Sequence, residues 1–299
     1  MYKSHFGLKR NPFEISPDPE FLFSTDAHRE ALAALYYGIR RHCGFVVLTG
    51  EVGTGKTLII RCLLEILNEN ELASAYVFNP KLSALQMLQY IAGDLGLPSS
   101  KSKAKLLLNL NHFLIERYRQ DLQTVLIVDE AQLLQKDLLE EIRLLTNLET
   151  SQRKLLQIVL AGQPELETKL DSKDLRQLKQ RVTFRCNLLP FSPTDTGGYI
   201  RHRLDIAGAE SRADTIFPQE TVTMIHEYSS GIPRLINTIC NNALISGYAA
   251  QAQTIAPVII SEVAADLRLN QQDSKDLNLP KASESNRRAE TEMEEGATV

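Results

Sequence analysis

A chain of 299 residues is long enough for one α/β domain and a smaller companion, since domains usually span about 100 to 200 residues. Hydrophobic residues make up 43% and charged residues 23%, which excludes the compositions of disordered and membrane proteins. A formal net charge of -4 excludes a large positive field over the surface as a whole, although a local basic patch stays compatible with it.

The amino terminus reads "MYKSHFGLKRNPFE" and has no apolar segment behind its charges, so it does not match a secretory signal. The longest apolar runs in the chain fall far short of the roughly 18 to 20 residues that cross a bilayer. We therefore expect a cytoplasmic protein with no membrane-spanning segment.

Short apolar runs of β-type composition then alternate with longer segments of helical period. The runs predict strands over residues 45–49, 73–78, 125–129, 155–161 and 182–188. The segments between them place apolar residues at three- and four-residue spacing, as amphipathic helices do. This alternation predicts an α/β fold, an αβα sandwich around a five-stranded parallel sheet.

Beyond about Pro190 the strand pattern fades, and helical segments broken by Gly and Pro follow. We divide the chain into an α/β nucleotide-binding domain over residues 1–190, with a linker over residues 1–25, and an all-helical lid over residues 191–269. Residues 270–299 are polar and acidic with almost no large apolar side chains, which predicts a disordered acidic tail.

The stretch "GEVGTGKT" lies between the first predicted strand and a helix, and it matches the phosphate-loop pattern G-x-x-x-x-G-K-[ST]. Its glycines let backbone N–H groups surround phosphate oxygens, and the helix dipole adds positive potential. Lys56 is expected to bridge the β- and γ-phosphates, and the Thr57 hydroxyl to ligate Mg²⁺. The predicted nucleotide contacts are Gly50, Glu51, Val52, Gly53, Thr54, Gly55, Lys56, Thr57 and Leu58.

The run "TVLIVDEAQLL" delivers Asp129 and Glu130 to the carboxyl edge of the predicted sheet. We expect Asp129 to hold Mg²⁺, directly or through water, and Glu130 to orient and deprotonate the attacking water. A strand that simply meets a capped helix is the alternative. The phosphate loop upstream favours the catalytic interpretation.

Two further positions are candidates for the γ-phosphate. Gln163 follows the fourth predicted strand, where it can bond the γ-phosphate or the water, or can simply be the turn residue before Pro164. Arg181 is our candidate for an arginine finger that reaches the γ-phosphate of a neighbouring subunit. Solvated surface pairs are the alternative for Arg181, and more so for Arg176 and Arg185 nearby.

The stretch "SSGIPRLINTIC" places Gly231 before a turn and Pro233 in the first turn of a new helix. Arg234 then projects from a defined position, from which it can touch bound phosphate and couple the lid angle to nucleotide state. The alternative is an ordinary arginine at a helix start.

Together these motifs resemble those of the AAA+ ATPases, from about Met1 to Leu269. Residues 50–57 are similar to Walker A, residues 125–130 to Walker B, Gln163 to sensor 1, and the Gly231 to Arg234 stretch to sensor 2. The stretches "YKSHFGLKRNPFEISPDPEFLF", "VDEAQLL" and "AGQPEL" resemble the ExeA-type ATPases of the general secretion pathway and their pilus-biogenesis relatives.

The resemblance implies a P-loop AAA+ sandwich with ATP between the α/β domain and the lid. It also implies hydrolysis in a homo-oligomer, with a secretion or pilus assembly protein as partner. The segment around Asn11-Pro12-Phe13 is expected either to line the adenine site or only to pack against the core. Many ExeA proteins continue into a membrane helix and a peptidoglycan-binding region, which we do not find in this sequence.

Two other functions stay open. The same core resembles transposition regulators and origin-recognition ATPases, which act on DNA, and "KSKAK" and "RHR" can form a basic footprint for it. Solvated helix ends explain those charges as well. The remaining possibility is a nucleotide switch without useful turnover.

Overall fold

A five-stranded parallel sheet lies at the centre of the computed structural model, which describes residues 1–68, 72–78, 82–151 and 153–269. The strands are β1 (Phe45–Gly50), β2 (Ala73–Val77), β3 (Thr124–Val128), β4 (Gln157–Gly162) and β5 (Val182–Leu188). Their order across the sheet is β2-β3-β4-β1-β5, and every neighbouring pair is parallel. The predicted acidic tail, residues 270–299, lies outside the described residues.

The predicted strand limits are right to within two residues. The largest difference is at β4, which begins at Gln157 rather than at Leu155. Leu155 and Leu156 are buried like strand residues, but the backbone N–H of Leu155 donates to the carbonyl oxygen of Leu148, outside the sheet. Apolar composition predicts which residues are buried, and at β4 the buried residues begin two positions earlier in the chain than the paired ones.

A short helix, α1 (Tyr2–Phe6), begins the chain. The helices that cover both faces of the sheet are α2 (Asp26–Arg40), α3 (Lys56–Asn68), α4 (Ala84–Asp94), α5 (Lys103–Arg119), α6 (Lys136–Leu145), α7 (Glu165–Leu170) and α8 (Arg176–Lys179). Side chains alternate along each strand, so Val46 and Leu48 pack with α2 and α3, whereas Phe45 and Val47 pack on the side of α4, α5 and α6. The predicted αβα sandwich is confirmed.

A helical unit follows the sheet. It consists of α9 (Pro193–Ile206), α10 (Ala213–Ile216), α11 (Gln219–Ser229), α12 (Pro233–Ala249) and α13 (Pro257–Asp266). Ser192 and Asp195 form a reciprocal capping box, and Pro193 occupies the first turn, so α9 begins close to the predicted boundary. No helix among the described residues is both long and apolar enough to span a membrane.

The amino-terminal segment packs with this helical lid. We assigned residues 1–25 to the α/β domain as a linker, yet Phe6, Leu8 and Phe13 are buried in the hydrophobic cluster of the lid. The ring of Phe13 meets that of Phe217 edge to face, with centroids 6.0 Å apart. The segment therefore returns to the lid, and the chain between it and α2 lies at the junction of the two units.

Strand register brings the predicted site residues to one edge of the sheet. Val128 pairs with Val77 on one side and with Leu160 on the other, while Thr49 pairs with Gly162. The residues that follow β1, β3 and β4 are therefore neighbours, as the carboxyl ends of parallel strands always are.

Candidate functional site

The loop predicted to hold phosphate joins β1 to α3. Gly53 has a φ of 85°, in the left-handed region, and a Cβ at this position would lie 2.6 Å from the Cβ of Arg234. Only glycine fits both constraints. The buried Thr54 hydroxyl donates to the carbonyl oxygen of Glu51 at 2.8 Å, which closes the loop as a turn. The loop leads directly into the first turn of α3. The free backbone N–H groups at the amino terminus of a helix bind anions.

Lys56 is a buried cation at the centre of this loop, with a residue exposure of 8%. Its Nζ donates to the carbonyl oxygens of Gly50 at 2.7 Å and Glu51 at 3.0 Å. Burial lowers the pKa of Lys56 from its ordinary value, and nearby carboxylates, first among them Glu130, oppose that shift. The loop thus holds a positive charge whose present partners are neutral carbonyls, as a phosphate site requires.

Asp129 follows β3 and faces the Thr57 hydroxyl, which donates to its Oδ2 at 3.4 Å. The hydroxyl of Tyr76, on the neighbouring strand β2, donates to the same oxygen at 2.7 Å. Burial, followed by this hydrogen bond, raises the pKa of Tyr76, so its hydroxyl stays protonated. A hydroxyl and a carboxylate oxygen side by side are hard oxygen donors of the kind that Mg²⁺ prefers, so Thr57 and Asp129 fit the predicted metal.

Glu130 directly follows Asp129, in a left-handed backbone conformation with φ 51° and ψ 36°. Its Oε2 accepts a hydrogen bond from the side-chain amide of Gln163 at 3.4 Å, across the gap between β3 and β4. A second amide, that of Gln132, donates to the same oxygen at 2.6 Å. The structure therefore brings the predicted base and the predicted sensor together.

A cavity of about 320 Å³ lies above the loop, between the sheet and the lid. Nine of the predicted residues are part of its lining: Val52, Gly53, Gly55, Lys56, Thr57, Leu58, Glu130, Pro233 and Arg234. Gly50, Glu51 and Thr54 form the loop itself, and Asp129 stands behind Thr57. The cavity is large enough for a small molecule whose phosphates lie at the end next to the loop, which we call the lower end.

The lid approaches the loop through the turn before α12. Gly231 has a φ of 72°, and a Cβ there would lie 2.0 Å from the carbonyl oxygen of Phe191, whose N–H donates to the Gly231 carbonyl at 2.8 Å. Pro233 begins α12, and the N–H of Arg234 donates to the carbonyl oxygen of Gly53 at 3.2 Å. The Arg234 side chain is exposed and lines the cavity.

Arg181 lies away from this cavity, at the carboxyl end of α6. Its guanidinium donates to the carbonyl oxygen of Arg143 at 3.2 Å, to the Thr146 hydroxyl and to Asn147 Oδ1 at 2.8 Å. Arg176 is exposed on α8, and Arg185 pairs with Glu167. The structure therefore does not bring these arginines to the site of their own chain, and a role for Arg181 in a neighbouring subunit stays a prediction.

The upper part of the cavity contains residues that the sequence analysis missed. Asn11, Pro12 and Phe13 do not line it; the next residues do, and the lining there consists of Glu14, Ile15, Ser16, Pro17, Asp18, Phe21, Tyr199, Arg203 and Asn237. Arg203 is 5% exposed and donates to the carbonyl oxygens of Pro12 and Glu14 and to the Tyr199 hydroxyl. Arg203 belongs to the "RHR" stretch, which predicted a basic footprint or a solvated helix end, but its side chain is buried instead. Nothing near it in the sequence indicates these partners.

The fold and the loop define the class of protein. A parallel sheet of this order, a phosphate loop after β1, carboxylates after β3 and a helical lid over the cavity are features of a P-loop nucleotide-binding protein of the AAA+ class. Residues 39–170 match the family described as an AAA domain. The predicted resemblance to the AAA+ ATPases is confirmed for this part of the chain.

The comparisons also support the narrower resemblance. General secretion pathway protein A of Aeromonas hydrophila is 46% identical over 269 residues, which are 89% of this chain and 48% of that protein. The chain thus spans about half the length of this relative. The predicted resemblance to ExeA-type proteins is confirmed.

Solved structures show the same fold at low sequence identity. The ORC2 protein of Aeropyrum pernix, in ADPNP-ADP complexes, has a TM-score of 0.66 at 16% identity, covering 86% of this chain and 72% of that chain. Cdc6p of Pyrobaculum aerophilum has a TM-score of 0.64 at 17% identity, covering 88% and 70%. The RuvB branch migration motor of Thermotoga maritima has a TM-score of 0.57 at 18% identity, covering 88% and 75%.

Proposed function

We propose that this AAA+ protein binds and hydrolyses Mg-ATP in a homo-oligomer, and that it acts in the assembly of a secretion or pilus-type envelope system. The observation that carries the ATPase proposal is the meeting of Lys56, Thr57, Asp129 and Glu130 at the lower end of one cavity. The envelope role rests on the printed name of the Aeromonas relative. We infer a cytoplasmic location, where ATP is available.

The loop is expected to bind the triphosphate through its backbone. Lys56, Thr57 and Leu58, in the first turn of α3, line the cavity, where their N–H groups are expected to bind phosphate. Lys56 would exchange its carbonyl partners for phosphate oxygens. Thr57 and Asp129 would hold Mg²⁺, which when bound neutralises charge on the phosphates. Arg234, tied to Gly53 through its backbone, would report the presence of phosphate to the lid.

Glu130 is the proposed general base. It lines the cavity, and its Oε2 accepts hydrogen bonds from the side-chain amides of Gln132 and Gln163. Gln163 joins Glu130 to the end of β4, where a γ-phosphate sensor is expected. In the proposed hydrolysis, Glu130 accepts a proton from the water that attacks the γ-phosphorus, and ADP leaves.

The Glu130→Gln variant tests this assignment. We expect it to keep Mg-ATP affinity within about twofold of the parent and to lose at least about a hundredfold in kcat, as loss of a general base usually does. Glu116→Gln, an exposed helix carboxylate paired with Arg119, is the matched control and should hydrolyse normally. Near-parental turnover in Glu130→Gln would remove Glu130 from this role.

The oligomer proposal is tested at Arg181. The specific ATPase activity of the parent is expected to rise with protein concentration, and Arg181→Ala to abolish that rise while ATP binding survives. Arg176→Ala, at the same junction but exposed, should behave as the parent. Constant specific activity over a wide concentration range would contradict the trans finger. Salt-sensitive stimulation by DNA would instead favour the DNA-dependent alternative.

A further inference from the structure

Gln132 is a buried amide that joins the proposed base to the proposed sensor. It is 7% exposed and lies in the short 3-10 turn of residues 131–133 that follows Glu130. Its Nε2 donates to Glu130 Oε2 at 2.6 Å, and its Oε1 accepts from the backbone N–H of Gln163 at 3.1 Å. One side chain thus connects the ends of β3 and β4 beside the cavity.

The orientation of this amide follows from its partners. A backbone N–H can only donate, so the Gln163 N–H requires the carbonyl oxygen of Gln132 to face it. The NH₂ group then faces Glu130, whose carboxylate oxygen Oε2 accepts its hydrogen bond. A flipped amide would set two donors against each other and a carbonyl oxygen against a carboxylate, so both contacts favour one arrangement.

The surrounding chain is shaped around the amide. A Cβ on Gly162, the last residue of β4, would lie 2.8 Å from Gln132 Oε1. The ammonium of Lys169, on α7, donates to the main-chain oxygens of Gln132 and Leu134, the latter at 2.9 Å. Lys169 therefore holds the backbone of the turn, and the missing side chain of Gly162 leaves space for the Gln132 amide. Together these two residues define the position of the amide.

This arrangement fixes one carboxylate oxygen of Glu130, a residue that lines the cavity. Among the described residues, both side-chain hydrogen bonds to its carboxylate, from Gln132 and from Gln163, reach Oε2. We propose that Gln132 is a positioning residue that aims Glu130 Oε1 at the attacking water and ties its orientation to the end of β4. The inference rests on the proposed function, in which Glu130 is the base.

The Gln132→Met variant tests the positioning role, since methionine keeps the length of the side chain and removes both hydrogen bonds. We expect kcat to fall at least about tenfold, because small displacements of a catalytic group cost up to about a hundredfold in rate. The KM for ATP and the affinity for a non-hydrolysable analogue should stay within about twofold. Parental kcat in Gln132→Met would overturn the proposal.

Gln157→Met is the matched control. Gln157 is also buried and also joins two segments, accepting from the Gly44 N–H at 2.9 Å and donating to the Lys154 carbonyl at 3.0 Å, but at the opposite end of β4. Both variants should lose similar stability in urea unfolding, whereas only Gln132→Met should lose kcat. An equal loss of kcat in the two variants would show that Gln132 acts only through stability.

Two further variants separate positioning from the base itself. In a Glu130→Gln background, Gln132→Met should change the residual rate by less than about twofold, because no base is left to aim. Gly162→Ala displaces the amide without removing it and should reproduce the loss of kcat, which keeps the proposal testable if Gln132→Met folds poorly. If Glu130→Gln hydrolyses ATP normally, the proposed function fails. If Glu130→Gln is inactive but Gln132→Met or Gly162→Ala hydrolyses ATP normally, only the positioning role fails.

Discussion

The two halves of the cavity are built in opposite ways. The lower half consists of residues 50–58 with Asp129 and Glu130, and most of it comes from one short loop. The upper half joins residues 14–18 of the amino-terminal segment to Tyr199, Arg203 and Asn237 of the lid. The lower half uses backbone groups in a fixed local conformation, whereas the upper half depends on side chains brought together from distant parts of the chain.

Arg203 illustrates the difference. Its partners Pro12 and Glu14 are 191 and 189 residues away in sequence, and its guanidinium also stacks 4.6 Å from the ring centroid of Phe21. In the lower half, Lys56 bonds to carbonyls only five and six residues away, and β1 and α3 fix the loop. A sequence motif can therefore specify the lower half alone.

The largest effect should come from Lys56→Ala, which tests whether the lower half carries the binding energy. The variant loses the ammonium that is expected to bond both the β- and the γ-phosphate. ATP binding should weaken by at least about a hundredfold, since charged hydrogen bonds contribute about 1.5–3 kcal/mol each. Isothermal titration measures the change. Lys154→Ala, a partly exposed lysine paired with Glu149, should bind as the parent. An equal loss in both would mean that binding does not depend on the loop.

Arg203→Met tests the upper half and should have a smaller effect. The variant removes two hydrogen bonds that hold residues 12–14 to the lid and a third to the Tyr199 hydroxyl on the same helix. We therefore expect ATP affinity to fall about tenfold, with a loss of about 2 kcal/mol in the free energy of unfolding. Arg201→Met, on the same helix but exposed and paired with Asp214, is the control. A loss as large as that of Lys56→Ala would contradict the division between the halves.

Tyr76→Phe sharpens the view of the lower half. Without its hydroxyl, Asp129 Oδ2 loses a 2.7 Å hydrogen bond and is less well oriented toward Thr57. We expect the Mg²⁺ concentration for half-maximal ATPase activity to change about threefold, as for loss of one outer hydrogen bond of about 0.5–1.5 kcal/mol, with little change in maximal rate. Tyr90→Phe, on α4 with its ring against that of Phe78, should leave this concentration unchanged.

The smallest effect is a pH dependence at His28, which lies beneath the loop. Burial lowers the pKa of His28, so the unfolded chain binds its proton more readily. The free energy of unfolding should therefore fall as pH drops below about 6.5, by less than the limit of about 1.4 kcal/mol per pH unit for one proton. Urea unfolding at pH 7.5 and 5.5 measures this change. His28→Gln should show a weaker pH dependence than the parent, and an unchanged one would exclude His28.

Much of the fold was predictable because periodicity reports burial directly. All five strands lie where the apolar runs predict them, and the lid begins at the capping residues Ser192 and Asp195. The packing of the amino-terminal segment could not be predicted, since nothing in the local sequence indicates that Phe6, Leu8 and Phe13 pack with helices near the other end of the chain.

The site divides in the same way. Residues 50–57 form a contiguous motif, whereas Tyr76 and Gln132 become part of the site only through strand pairing. Tyr76 faces Asp129 because β2 pairs with β3, and Gln132 meets Gln163 because β3 pairs with β4. The sequence indicates a role for Gln132 only through its place in the "DEAQ" stretch, two residues after Glu130.

A crystal structure with Mg²⁺ and a non-hydrolysable ATP analogue tests the central claim most directly. We predict that the triphosphate lies on the N–H groups of the loop, with Mg²⁺ between Thr57 and Asp129, and that Lys56 leaves the carbonyls of Gly50 and Glu51 for phosphate oxygens. A cavity without nucleotide at saturating analogue, with Lys56 still bonded to those carbonyls, would contradict the account.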